Sequence, residues 1–212
     1  MIIETINDVQ GFSQAIEAMR NPMDSWRMSD SEWDFDEPCE LGTGRYIIGE
    51  KDKDLSIRLQ KAGPEHCKHL RMIFVWAEIT APRYWWQEFD TYRNGVEKVS
   101  CSTMHKLMAR PLTMDDFEHD CMNNEYLKYM IDSINGSMEA YRMCQDVDHK
   151  NEIWRGIIQA LPQSYLQKRT VCMSYAALRN IVRQREGHKL VEWFWFINWA
   201  KSLPNSWMIF DE

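Results

Sequence analysis

Two predicted strands, each followed directly by a helix, constrain this 212-residue chain most strongly. The first, MIFVWAEIT at residues 72–80, is rich in β-branched and aromatic side chains, which favour a buried strand. Thr80 at its end is the expected helix cap, and Pro82 lies near the first helical position. The second, KRTVCMSY at 168–175, precedes a helix over 176–186. Strands and helices interleaved in this way indicate an α+β or an α/β protein.

Helical periodicity accounts for most of the remaining chain. After an opening strand, IIETI, Asn7 or Asp8 is expected to cap a helix that ends at Asn21-Pro22. Residues 22–45 are predicted to be irregular. Further helices are predicted over 52–62, from Pro82 to Tyr92, over 113–147 with a break near Asn135-Gly136, over 149–160 and over 188–203. Because the chain has no Gly/Ser linker and suits one core, we expect a single domain over 1–212.

The composition excludes several classes of protein. Hydrophobic residues make up 44% and charged residues 27%, which is ordinary for a globular chain. A net charge of −7 argues against a DNA-binding surface, since phosphate contacts need a cationic face. The apolar stretches are too short to cross a membrane, and the start lacks a secretory signal. Six scattered cysteines without a CxxC pair indicate a reduced, cytoplasmic protein.

Arg185 extends a helical face that is otherwise apolar. Leu178, Ile181, Val182 and Arg185 fall at positions i, i+3, i+4 and i+7. A guanidinium on such a face must be paired or must meet an anion, because an unpaired buried charge is very costly. Its planar fork suits phosphate or carboxylate. The pattern therefore predicts either an anion site or a structural bridge to a carboxylate on another helix.

The segment over 91–107 combines cations with hydroxyl groups, which makes it a candidate anion site. Its basic and hydroxyl side chains include Arg93, Lys98, Ser100, Ser102, Thr103, His105 and Lys106. Ser100 and His105 could form a nucleophile and base, but no GxSxG elbow supports hydrolysis. The alternative to an anion site is a solvated loop.

Metal-capable side chains occur together in GPEHCKH at 63–69, which contains Glu65, His66, Cys67 and His69. Their spacing matches neither HExxH nor a zinc finger, so we expect no metal and interpret the group as a helix cap beside a hydrogen-bonded histidine. The chain also has neither a Walker A loop nor a GxGxxG sequence, so a nucleotide or flavin must be bound in another way.

Four further segments have an order and spacing known from one enzyme family. They are Glu65-His66 ahead of the strand at 72–80, PRYWWQEFDTYR at 82–93, Leu161-Pro162, and LRNIVRQREGHKLVEW at 178–193. Over residues 50–203 they resemble the flavin-dependent thymidylate synthases. The resemblance implies an α+β fold in which a central twisted sheet is flanked by helices.

The same resemblance implies an enzyme that methylates a pyrimidine deoxynucleotide, dUMP to dTMP. In that family FAD transfers a hydride and methylenetetrahydrofolate gives the one-carbon unit, with NADPH as a further co-substrate. Family members form homotetramers with sites shared between subunits, and the ten Trp residues agree with buried interfaces. The alternatives are a different pyrimidine substrate, or a catalytically silent relative that binds a nucleotide or a partner protein.

Site residues follow from the resemblance position by position. Arg185 matches an arginine that faces the nucleotide and is assigned both to catalysis and to substrate binding. The implied cofactor-binding residues are Tyr92, Arg93, Asn180, His188 and His66. The other implied substrate-binding residues are Glu88, Ser102, His105, Lys106 and Arg155. The family's Arg-His-Arg signature reads Thr91-Tyr92-Arg93 here, so Lys106 and Arg155 are assigned in place of arginines that this chain lacks.

Overall fold

A computed structural model describes residues 1–35 and 44–210. Within them the strands are β1 (Ile2–Thr5), β2 (Glu32–Asp34), β3 (Arg45–Ile47), β4 (Phe74–Pro82), β5 (Val96–Ser100) and β6 (Leu166–Ser174). The helices are α1 (Phe12–Arg20), α2 (Glu50–Ala62), α3 (Arg83–Phe89), α4 (Thr103–Lys106), α5 (Asn124–Met143), α6 (Val147–Ala160), α7 (Tyr175–Arg185) and α8 (Val191–Ser202). Short 3-10 turns connect several of these elements.

Four strands form one sheet in the order β1-β4-β6-β5, and β2 and β3 form a separate antiparallel pair. Non-consecutive strands are neighbours in this sheet, and helices separate most of them along the chain. The α+β class predicted from the sequence is therefore confirmed.

Strand β4 has the alternating burial of a sheet strand. Val75, Ala77, Ile79 and Ala81 are fully buried, whereas the residues between them are half-buried. The predicted strand is confirmed, but the predicted Thr80 cap is wrong, because the strand continues to Pro82. Pro82 has an extended backbone and is itself the cap of α3.

Helix α1 begins later than the sequence suggested, so the predicted cap at Asn7 or Asp8 is wrong. The cap is Gly11, whose φ is 97°. A Cβ atom at Gly11 would lie 2.0 Å from the backbone oxygen of Met72, so only glycine fits this position. From Phe12 onward the helix buries its apolar face as the periodicity predicted.

Helix α5 runs without interruption through Asn135 and Gly136, so the predicted break is wrong. The Asn135 side chain does not compete for the backbone hydrogen bonds of its own helix, because it is hydrogen-bonded to the backbone of Leu112. Its Oδ1 accepts from the Leu112 N–H at 2.8 Å, and its Nδ2 donates to the Leu112 carbonyl at 3.0 Å. Asn123 caps the start of the helix, since its side chain accepts from two backbone N–H groups of the first turn.

A buried carboxylate connects the irregular segment before β2 to helix α2. The Asp52 carboxylate accepts from Arg20 Nε, Ser29 Oγ and Ser31 Oγ, each at 2.6 Å. Burial alone would raise the pKa of Asp52, but the hydrogen bonds from the two serines and Arg20 hold it below its usual range. In the other direction, the Asp30 carboxylate accepts from the backbone N–H groups of Lys51 and Asp52. Residues 29–31 are therefore bonded to the first turn of α2.

The chain divides into two compact units. The first comprises Met1–Ile3, Glu78–Thr91 and Lys98–Thr170, and the second comprises Glu4–Ala77, Tyr92–Glu97 and Val171–Glu212. The core of the first unit includes Leu127, Ile131, Ile134, Met138 and Ile157 from α5 and α6. The second buries side chains of α1, α7 and α8, among them Ile16, Leu178, Ile181, Trp193 and Phe196. The single domain over 1–212 stays a prediction. Among the described residues no helix is both long and apolar enough to span a membrane.

Candidate functional site

Arg185 in the second unit is bonded to a phenol and packed against two aromatic rings. Its Nε donates to the hydroxyl of Tyr92 at 2.8 Å. The guanidinium carbon lies 4.7 Å from the ring centroid of Trp193 and 5.5 Å from that of Tyr92. Leu178, Ile181 and Val182 are buried, and Arg185 is half-buried at the end of their face. The periodicity thus predicted the placement of this cation correctly.

The beginning of α7 is bonded to the turn that follows Tyr92. The Ser174 N–H donates to the Gly95 carbonyl at 2.9 Å, and Ser174 Oγ accepts from the Ala177 N–H as the helix cap. Gly95 has a φ of 71°, and a Cβ atom there would lie 2.5 Å from Ser174 Oγ. Since the backbone approaches this closely, the turn carrying Tyr92 is held beside α7.

A chain of hydrogen bonds continues from Arg185 along the surface of α7. The Tyr92 hydroxyl donates to Gln184 Oε1 at 3.1 Å. Gln184 Nε2 then donates to Asn180 Oδ1 at 3.0 Å. Three residues assigned from the sequence, Tyr92, Asn180 and Arg185, are thus connected through Gln184. The sequence reasoning missed Gln184, although its i, i+4 relation to Asn180 on a helix was available as a signal.

The other cofactor-binding candidates are placed differently. The His188 ring lies 6.2 Å from that of Trp193, and its Nδ1 accepts from the Leu190 N–H. His188 and Arg185 therefore both pack against the ring of Trp193. Arg93 and His66 are exposed, and neither side chain has a bonding partner among the described residues.

Within the segment at 63–69, His69 is the buried histidine. The sequence analysis interpreted it only as a hydrogen-bonded residue. Its Nε2 lies 2.9 Å from Ser56 Oγ. Burial lowers the pKa of His69 to about 4; a hydrogen bond with the His66 backbone opposes this shift, and the charge of Arg179 adds a smaller lowering effect. Gln60 donates to Ser56 Oγ and accepts from Arg179 Nη1 at 2.5 Å. The group links α2 to α7, and no cluster of metal-ligating side chains occurs among the described residues.

A polar cavity of about 210 Å³ lies in the first unit. It brings together two of the residues assigned to substrate binding, Ser102 and Lys106, with Thr103 and Lys168. Lys168 forms an ion pair with Glu78. The Lys106 ammonium group forms no ion pair or hydrogen bond within the described part of the chain, so it is available to a ligand. Asp115, Asp116 and Tyr165 complete the polar side of the wall.

Gln167 organises the wall of this cavity. Its Nε2 donates to the Cys101 carbonyl at 3.0 Å, and its Oε1 accepts from Arg169 Nε at 3.1 Å. The Cys101 N–H donates to the Lys168 carbonyl at 2.9 Å. Both backbone groups of Cys101 are therefore bonded to β6, directly before Ser102 and Thr103. The sequence reasoning missed Gln167 and Lys168, although Lys168 begins the strand predicted over 168–175 and Gln167 directly precedes it.

Among the acidic groups of the cavity, Asp116 is fully engaged. Arg110 donates to its two oxygens at 2.8 and 2.5 Å, and the Thr113 N–H donates at 2.8 Å. Burial alone would raise the pKa of the Asp116 carboxyl. The hydrogen bonds from Arg110 and Thr113 outweigh this effect and lower the pKa below its usual range. The carboxylate is thus neutralised locally and does not cancel the charge of Lys106.

Comparison with known proteins identifies the fold. No protein-family model and no curated protein matches the sequence. Two solved structures of ThyX from Helicobacter pylori, a flavin-dependent thymidylate synthase in complex with FAD and dUMP, superpose on the chain with a TM-score of 0.71. They cover 100% of this chain and 98% and 97% of theirs, at 18% and 19% identity. The chain has the fold of the flavin-dependent thymidylate synthases. The fold inferred from the four sequence segments is confirmed.

Three further candidates are not assigned to either of these sites by the structure. Glu88 is half-buried on α3, and its backbone carbonyl accepts from Thr91 Oγ1 at 2.7 Å. Arg155 is exposed on α6 and does not line the cavity that contains Lys106. His105 belongs to α4, but its side chain lies outside the described residues. The assignments of these three residues stay predictions.

Proposed function

We propose that the protein is a flavin-dependent enzyme that methylates a pyrimidine deoxynucleotide, converting dUMP to dTMP. The observation that carries the proposal is the unpartnered Lys106 in a hydroxyl-lined cavity of a chain with the thymidylate synthase fold. The solved proteins of that fold named above are complexes with FAD and dUMP.

The cavity of the first unit suits the phosphate of the nucleotide. The Lys106 ammonium supplies a full positive charge, and the Ser102 and Thr103 side chains add hydroxyl groups. Charge-assisted hydrogen bonds to phosphate are about twice as strong as neutral ones. We assign Lys106 to the phosphate, with the two hydroxyls orienting it.

The cluster around Arg185 in the second unit suits FAD. Arg185 offers guanidinium donors for phosphate or carbonyl oxygens, and the rings of Tyr92 and Trp193 provide flat apolar surface. Asn180 and His188 belong to the same cluster. When bound, FAD supplies hydride transfer, while methylenetetrahydrofolate and NADPH are the proposed co-substrates. The chain's own residues bind and orient these partners.

A second candidate function is a nucleotide-binding protein without catalysis. It is favoured by the altered signature, in which Thr91 and Tyr92 replace an arginine and a histidine of the family. The Tyr92 hydroxyl is also committed to Arg185 and Gln184. In this alternative the nucleotide is bound, but no methyl transfer follows.

We also propose a homotetramer. Helix α8 exposes Phe194 and Trp195, with 61% and 36% of their surfaces accessible. Exposed aromatic side chains at adjacent positions are typical of an interface. Light scattering at micromolar concentration should give about four times the chain mass of 25.3 kDa, and a mass near 25.3 kDa would reject the assembly.

The purified protein distinguishes these functions directly. Its absorption spectrum between the near ultraviolet and the blue reports bound flavin. The release of tritium from dUMP labelled at C5, in the presence of FAD, NADPH and methylenetetrahydrofolate, reports methylation. Flavin binding together with tritium release supports the enzyme. Binding of dUMP without release, in protein saturated with FAD, supports the silent relative instead.

A further inference from the structure

We propose that Arg169 is a positioning residue for nucleotide binding, because it orients the Gln167 amide that holds the backbone of Cys101. Arg169 does not itself line the cavity of the first unit. The segment that follows Cys101 carries Lys106, the residue assigned to the phosphate. The inference rests on the proposed function and adds to it the group that fixes one wall of the cavity.

The Arg169 guanidinium is held by an acid, a ring and an amide. Its Nη1 donates to Asp90 Oδ1 at 2.8 Å, and its carbon lies 4.2 Å from the ring centroid of Trp86. Its Nε and Nη2 both donate to Gln167 Oε1, at 3.1 and 2.9 Å. Trp86 is fully buried, and its Nε1 donates to the Gln167 carbonyl at 2.9 Å. The guanidinium is therefore fixed on a rigid support.

The direction of the Gln167 amide follows from these donors. A guanidinium carries donors only, so the Gln167 atom that meets Nε and Nη2 of Arg169 must be the oxygen. The NH₂ group then lies on the other side of the amide and donates to the Cys101 carbonyl at 3.0 Å. A reversed amide would set donors against donors at Arg169 and two oxygens against each other at Cys101. Both neighbours of Gln167 thus require the same orientation.

The bond to the Cys101 carbonyl is the second of two attachments to strand β6. The first is the Cys101 N–H, which donates to the Lys168 carbonyl at 2.9 Å. The next carbonyl along the chain, that of Ser102, accepts from the Lys106 N–H at 3.0 Å. The Lys106 backbone is therefore connected to β6 through Cys101 and Ser102. If one attachment is lost, the segment gains freedom that nucleotide binding must remove again, so affinity falls.

Arg169→Lys separates position from charge. The variant keeps the positive charge, but a compact ammonium cannot reproduce the planar fork that joins Asp90 to Gln167. If Arg169 acts by fixing Gln167, the affinity for dUMP should fall about fivefold, the effect of one neutral hydrogen bond. An affinity equal to that of the wild type would mean that only the charge of Arg169 matters, and it would overturn the inference.

Gln167→Met removes the amide and introduces no charge. It should also weaken dUMP binding about fivefold. Because both changes break the same attachment, Arg169→Lys should alter the affinity less than about twofold in the Gln167→Met background. A combined loss of about 25-fold would show that the two residues act independently and would overturn the inference.

Gln163→Met is the matched control. It removes an exposed amide of the same unit, whose Oε1 accepts from Gln87 Nε2 at 3.1 Å and which does not line the cavity. Its affinity for dUMP should stay within about twofold of the wild type. A fivefold loss in this variant would mean that any amide near β6 has the same effect, which would overturn a specific role of Gln167.

Two further measurements distinguish positioning from a general loss of structure. FAD, which is assigned to the second unit, should bind Gln167→Met and Arg169→Lys as it binds the wild type. The Lys106 amide hydrogen should exchange faster in both variants and at the wild-type rate in Gln163→Met. Equal losses of affinity for FAD and dUMP, or an unchanged exchange rate at Lys106, would overturn the inference.

Calorimetric titration with dUMP decides the outcome, with FAD titrated separately on each variant. Wild-type protein that does not bind dUMP would overturn the proposed function. Wild-type binding whose dissociation constant is unchanged in Gln167→Met and Arg169→Lys would overturn positioning by Arg169 alone.

Discussion

Trp193 is fully buried, and its ring centroid lies 4.7 Å from the guanidinium carbon of Arg185. The ring attracts the cation through its negative face and covers one side of it, so solvent reaches the guanidinium less freely. A cation that is already partly desolvated and held in place loses little conformational freedom when an anion binds.

Replacing Arg185 with Ala should weaken binding of FAD or dUMP by about 1.5–3 kcal/mol, because a charge-assisted hydrogen bond is lost. Arg185→Lys should recover only part of the loss, since an ammonium group lacks the planar fork. Isothermal titration measures both. Arg183→Ala is the matched control, because Arg183 is an exposed arginine in the same last turn of α7. Equal losses in the Arg183 and Arg185 variants would contradict a specific site.

Lys106→Ala should reduce the affinity for dUMP by about tenfold, again the size of one charge-assisted contact. Lys128→Ala removes the same charge from an exposed position on α5 and should leave binding within twofold. Raising the salt concentration should narrow the difference between wild type and Lys106→Ala. An unchanged dissociation constant in Lys106→Ala would remove the cavity of the first unit from nucleotide binding.

His69 should make the fold less stable as the pH falls. In the unfolded chain it protonates near its ordinary value of 6.5, whereas burial lowers the pKa of the folded state to about 4. Between these two values the unfolded chain binds the additional proton, so the free energy of unfolding decreases from pH 6.5 to pH 4, by up to about 3 kcal/mol. Above pH 6.5 this residue contributes no pH dependence.

Urea unfolding at a series of pH values measures this effect. His69→Gln keeps an acceptor for Ser56 and does not titrate, so its stability should decline less steeply below pH 6.5. His66→Gln, at an exposed position, should retain the wild-type slope. Parallel curves for wild type and His69→Gln would mean that another group causes the acid sensitivity.

Glycine substitutions should have opposite effects at two helices. Gly136 lies inside α5 with nothing within 4 Å of an added Cβ, so Gly136→Ala should stabilise the protein by about 0.5–1 kcal/mol. Gly11→Ala should destabilise it, because φ is 97° and the new atom would meet the Met72 carbonyl. Thermal unfolding of the two variants provides the comparison. A lower midpoint for Gly136→Ala would indicate that another surface approaches α5 closely at this glycine.

Periodic signals in the sequence predicted the parts of the fold that depend on local burial. The spacing of Leu178, Ile181 and Val182 located α7 and placed Arg185 correctly, because helical geometry alone fixes which side chains share a face. The run at 72–80 identified β4 for a similar reason. Both signals are contained within one element, so a single sequence is sufficient to read them.

Features that depend on distant residues could not be read in this way. Helix α5 continues through Asn135 because the backbone of Leu112 engages that side chain. The start of α1 at Gly11 depends on the carbonyl of Met72. His69 is buried, whereas the assigned His66 is exposed, and nothing in GPEHCKH distinguishes them. In each of these examples a contact between residues far apart in the sequence determines the local structure. The spacing of residues within one segment contains no signal of such a contact.

The hydrogen bonds around Asp52 couple the local unfolding of residues 29–31 to that of the first turn of α2. The amide hydrogens of Asp30, Gly49 and Lys51 donate to Asp52, Ser31 and Asp30 respectively. None of the three can exchange with deuterated water unless the first turn of α2 separates from residues 29–31. A segment with little regular secondary structure and a helix terminus should therefore become labelled together, as one cooperative unit, rather than at the rates of a loop and a helix.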